Sequence, residues 1–121
     1  FHWNVVGKQF AVLHAMFEDQ YREMWAALDE LAERVRALGH FAPASGAAFV
    51  KLAKIESAEE TPPPADQMIA TLLADHETLI RRARAALETA GGAGDAASED
   101  LLTARIRTHE KTAWMLRAMT E

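Results

Sequence analysis

The sequence contains no cysteine. Disulfides, thiolate-held zinc, iron–sulfur clusters and thiol nucleophiles are therefore excluded. Glycine and proline are few, six and four of 121 residues, and they fall between long periodic stretches rather than within them. That scarcity, with abundant alanine, points to an all-α protein. Aromatic residues make up only 7%. No apolar run approaches the roughly 20 residues that span a bilayer. Basic residues are in deficit, 13 against 18 acidic, for a formal charge of −5. The chain thus has no general electrostatic pull towards nucleic acid or anionic lipid, and suits handling cations better than phosphates. The length fits one domain spanning 1–121. The sequence opens at Phe1, without an initiator Met and inside a motif, so a preceding segment is expected.

What is present reads as helices. Phe1 to Asn4 resemble the end of a truncated first helix, broken by Gly7. Lys8 to Leu38 form one long amphipathic helix, with Leu13, Met16, Phe17, Met24, Leu28, Leu31, Val35 and Leu38 recurring at helical spacing. Gly39 stops it. A long connection, His40 to Pro64, contains a short helix at Ala47 to Ile55 and a proline run that cannot continue it. A second long helix runs from Pro64 or Ala65 to Ala90 on Met68, Ile69, Leu72, Leu73, Leu79, Ile80 and Leu87. Gly91 to Ala97 form a turn. The last helix starts at Ser98 as N-cap and runs to the end, burying Leu101, Leu102, Ile106, Trp114, Met115 and Leu116. The sum is a four-helix bundle whose long middle connection keeps the helices on either side of it parallel.

Chemistry concentrates between Phe1 and Gly39, in His2, His14, Glu18, Asp29 and Glu33. With His14 at zero and about 100° per residue, Glu18 falls near 40°, Asp29 near 60° and Glu33 near 100°, one polar stripe. Glu18 and Asp29 are nevertheless about 16 Å apart along the axis, so one ion with bonds near 2 Å cannot bind both pairs of one helix. Either each pair meets ligands from elsewhere in its own bundle, or two copies pack antiparallel about a two-fold axis near Glu23 and Met24. Tyr21, Trp25 and Leu28 lie between the pairs on or beside the stripe, and a Trp among charges away from the core favours the second arrangement. Two imidazoles with two or three carboxylates suit iron or another borderline divalent metal. The Glu-x-x-His motif of intra-bundle di-iron sites is absent, because Ala11, Ala37, Leu73 and Ile106 stand three residues before His14, His40, His76 and His109.

The run Phe1-His2-Trp3-Asn4-Val5-x-Gly7-x-x-Phe10-x-x-Leu13-His14-x-x-Phe17-Glu18, followed by Asp29-x-x-Ala32-Glu33-Arg34, resembles the Dps family of ferritin-like proteins. His109-Glu110-Lys111-Thr112-Ala113-Trp114-Met115-Leu116 is similar to that family's last helix. The resemblance implies a ferritin-like fold and a cytoplasmic homo-oligomer, a hollow dodecamer with ferroxidase sites at two-fold interfaces. There His2, His14 and Glu18 of one chain would face Asp29 and Glu33 of another. It implies Fe(II) oxidation, preferably by hydrogen peroxide rather than oxygen, and storage of the ferric product. Trp3 matches an aromatic beside the family's site. By the same analogy Asp95, Glu99 and Asp100 would line a pore for incoming iron; the plainer reading is charge complementing a helix N-terminus.

Other features read blandly. His40, His76 and His109 are structural or solvated, and Glu56, Glu59 and Glu60 are plain surface. The competing function is a DNA-compacting protein, nucleoid-associated and with little or no ferroxidase activity. It requires clustered Lys and Arg; the densest group, Arg81, Arg82 and Arg84, has acidic neighbours, and the visible C-terminus is not basic.

Overall fold

The computed structural model describes residues 1–120. Among them are four helices and no strand: α1 Phe10–Ala37, α2 Gly46–Leu52, α3 Ala65–Gly92 and α4 Ala96–Arg117. This is an all-α bundle architecture. Phe1 to Val5 form one hydrogen-bonded turn, the N–H groups of Asn4 and Val5 both donating to the Phe1 carbonyl at 3.0 Å.

Local signals account for the boundaries. Gly39, at φ +89°, follows α1 in a conformation that side chains other than glycine adopt with strain. Ser45 caps α2 by accepting from Ala48 N–H. The long connection lets α1 and α3 start at the same end, with α4 running back between them. At that end Leu13 and Phe17 of α1, Met68 and Ile69 of α3, and Leu116 of α4 form the core with Val5. At the other, Arg34 of α1 donates to Asp95 and to Ser98 at the start of α4. A cleft of about 920 Å³ opens between α1, α3 and the linker preceding α3. No helix of the described residues is long and apolar enough to cross a membrane.

Several expectations change. Asp95, not Ser98, caps α4: its carboxylate accepts from both the N–H and the hydroxyl of Ser98, which lies inside the first turn. Asp95 is held below the usual carboxylate range, first by the Ser98 hydroxyl and then by the Ser98 amide, with Arg34 adding to it. This favours the capping reading of Asp95 over the pore reading. Gly91 and Gly92 continue α3, and the chain reverses at Gly94 instead. The last helix ends at Arg117, before the turn Ala118–Thr120; Glu121 lies outside the described residues.

Burial differs most in α4. Trp114 is 62% exposed and Met115 also faces solvent, whereas Arg105, His109, Ala113 and Leu116 are buried. On α1, Met24 is exposed rather than buried, as is Leu38 just beyond its end, while Leu28 is exposed on the stripe where its spacing put it. With Tyr21 and Trp25, which is 75% exposed, Met24 and Leu28 leave an apolar strip uncovered in the single chain.

Candidate metal centre

The turn before α1 creates the site. Gly7, at φ +106°, redirects the chain so that the Phe1–Val5 turn folds back along the first turns of α1. Val5 is fully buried in the core and anchors that turn. His2 is thereby laid against His14, ring centroids 4.0 Å apart and inclined by 24°. Tyr21 and Phe10 flank the pair, at 5.4 Å from His2 and 5.1 Å from His14.

The two histidines fix each other. Nδ1 of His2 donates to the His14 carbonyl, and Nδ1 of His14 donates to the His2 carbonyl, both at 2.8 Å. A carbonyl can only accept, so each Nδ1 carries its proton and, in the neutral rings, each Nε2 keeps its lone pair. Orientation of a ligating imidazole by a hydrogen bond from its other nitrogen is the usual outer support of a metal site. Glu18, one helical turn beyond His14, completes the group: ligand atoms of His2, His14 and Glu18 all lie within 4.8 Å of one another. Among the described residues no other trio of potential ligands converges in this way.

Glu18 is the charged member. Arg22, four residues on, donates to its Oε1 from Nε at 2.8 Å, with Nη2 2.6 Å from the same oxygen. This hydrogen bond holds the Glu18 carboxyl below its ordinary value, with the charges of Arg22, His2 and His14 acting in the same direction. Both Arg22 contacts fall on Oε1, so Oε2 is left for an incoming cation. The sequence reading passed over Arg22; the i, i+4 Glu–Arg spacing was the available signal.

Asp29 and Glu33 are not brought to this group. They sit exposed further along α1, on the stripe their spacing predicts. Glu33 lines a shallow groove with Glu30, Arg34 and Asp100 of the α1–α4 face. Within one chain the five candidate ligands therefore form a trio and a separate pair. His76 and His109, read as structural or solvated, are buried and hydrogen-bonded to each other at 2.9 Å.

Comparison with known proteins places the chain in a family. The sequence model of the ferritin-like domain matches residues 1–121. The "DNA protection during starvation protein 2" of Bacillus anthracis is 36% identical over 120 residues, covering 98% of this chain and 80% of that protein. Dps from Thermosynechococcus elongatus superimposes with a TM-score of 0.96 at 35% identity, over 100% of this chain and 76% of its own. Dps from Vibrio cholerae O1, described as a member of a broad superfamily of ferritin-like diiron-carboxylate proteins, gives 0.95 at 34% identity, over 100% and 76%. The chain belongs to the ferritin-like family, and within it to the Dps proteins.

Proposed function

We propose that the chain oxidises Fe(II) at sites shared between two copies and stores the ferric product inside a cytoplasmic dodecamer. The observation that carries this reading is the pre-oriented trio His2, His14 and Glu18, with the exposed carboxylates Asp29 and Glu33 on the same stripe of α1. An antiparallel copy of α1 would bring each trio against the other copy's carboxylate pair, giving two equivalent sites from one two-fold axis. The exposed Tyr21, Met24, Trp25 and Leu28 lie between the two halves and would be covered by that contact.

The ligand set suits Fe(II) before and after oxidation. Neutral imidazoles bind borderline divalent ions, and carboxylates increasingly favour the harder Fe(III). Two Fe(II) each give up one electron to hydrogen peroxide, its O–O bond breaks, and hydrolysis to ferric oxyhydroxide releases protons. Consuming Fe(II) together with peroxide removes the reagents of hydroxyl-radical formation. That would protect DNA, as the name of the Bacillus anthracis relative describes for that protein, without requiring contact with it.

Anaerobic Fe(II) titration followed by peroxide, read as ferric absorbance, tests this reading. Ferric growth well above that in protein-free buffer, saturating with added Fe(II), is expected. Growth no faster than buffer would overturn it and shift the weight to the DNA-compacting reading.

A further inference from the structure

A second polar group runs from a half-exposed Glu23 on α1 to buried residues of α4 and α3, away from the surface trio. Glu23 of α1 accepts from Arg105 of α4 through both carboxylate oxygens, with Nη2 to Oε2 at 3.0 Å. The same Nη2 lies 3.2 Å from Nε2 of His109. A guanidinium only donates, so this Nε2 is an unprotonated acceptor and the His109 proton is on Nδ1. That Nδ1 donates to Nδ1 of His76 on α3, 2.9 Å away, which leaves the His76 proton on Nε2. One pair of tautomers satisfies the whole chain of contacts. Arg105, His109 and His76 are all buried.

Two potential metal ligands, a carboxylate oxygen and an imidazole nitrogen, thus converge on one nitrogen of a buried cation. Ferritin-like di-iron bundles aim carboxylates and imidazoles at metal from facing helices in the same interior. We propose that Arg105 is a resident cation that closes the bundle interior to divalent metal and so confines iron to the surface trio. The second half of that statement rests on the function proposed above; the first half does not. A divalent ion at the same point would meet the guanidinium at close range in a buried setting, where repulsion is poorly screened. Displacing Arg105 would leave its charge buried without a partner. Glu23 is meanwhile already neutralised.

Co(II) is the probe, because its visible absorption reports ligation in the protein. The background is the chain carrying His14→Ala and Asp29→Ala, which removes one ligand from each half of the surface site. With Arg105 in place, no Co(II) is expected to give a ligand-field spectrum. Arg105→Met keeps the stem's volume, removes the charge, and is expected to bind about one Co(II) per chain through Glu23 and His109. Adding His109→Leu should abolish that spectrum, and Arg105→Lys, which retains a cation, should stay empty. A folded Arg105→Met chain without Co(II) uptake would overturn the proposal, as would uptake in the Arg105 background that disappears with His109→Leu. Arg105→Gln is the second neutral variant. If neither neutral variant folds even with excess Co(II), the interior has no latent site, because a metal bound only by the folded chain would stabilise it. Iron oxidation by the unaltered chain is measured separately, so failure of the surface reading leaves this result intact.

Discussion

His14→Ala is expected to slow peroxide-driven iron oxidation by about 100-fold or more while leaving helicity unchanged. Loss of even an outer partner of a metal ligand typically costs 10- to 100-fold, and the proposed site makes His14 itself a ligand. The substitution removes two things together. One is the Nε2 lone pair; the other is the Nδ1–H that holds the His2 carbonyl, while the buried Val5 still keeps the Phe1–Val5 turn folded back. His2 therefore loses its stacked partner and becomes a poorer ligand as well. His14 is only partly buried and is not part of the core, so thermal stability should barely change. Measured as initial ferric growth at saturating Fe(II), a rate within about three-fold of the parent, far short of the change expected for a lost ligand, would remove His14 from the site.

The folded chain is expected to lose stability as pH falls from about 6.5 to about 4, through the buried histidines. Burial, and then the nearby charges of Arg105 and His76, push His109 down to about 4 from 6.5. His76 is lowered as well, mainly by burial. In this window the unfolded chain binds protons that the folded chain does not, so stability rises with pH. The contribution is complete above the unfolded value, about 6.5, and is lost as pH falls through the folded one. For His109 the difference corresponds to roughly 3 kcal/mol. Glu23, held low by its hydrogen bond from Arg105, adds a loss of the same sign at lower pH. Asp75 opposes it, since burial raises its carboxyl and favours the folded chain in acid. Denaturant melts between pH 7 and pH 4 should show the slope, and His109→Leu should flatten it. Stability independent of pH across this range would contradict the tautomer assignment of the Arg105–His109–His76 chain.

The helices were legible in the sequence wherever burial is apolar. On α3 the spacing of Met68, Ile69 and Ile80 marks the buried face directly. On α4 it fails, because the buried face is Arg105, His109, Ala113 and Leu116, two of them polar residues satisfied by Glu23 and His76. Periodicity drawn from apolar residues alone then rotates the helix and places Trp114 inside. The cap was ambiguous for a different reason: Asp95 and Ser98 are both good cap residues three positions apart, and only the backbone course decides between them. At the candidate metal centre, spacing put His14 and Glu18 on one face, while His2, beyond Gly7, was named mainly through the family motif. The reciprocal bonds that orient the imidazoles depend on the reversal at Gly7, which spacing does not reveal. That Asp29 and Glu33 stand apart from the trio was legible from helical rise alone.

The central claim is that each iron site is built from two chains, and mixing two inactive variants tests it most directly. His14→Ala and Asp29→Ala chains are each unfolded, combined in equal amounts and refolded together. In a mixed two-fold pair, one site collects both substitutions and the other collects neither. With random pairing, half of the pairs are mixed and each restores one of its two sites, so about a quarter of the parental oxidation rate should return. A mixture no more active than either variant alone, with mixed pairs shown to form, would contradict a site shared between chains.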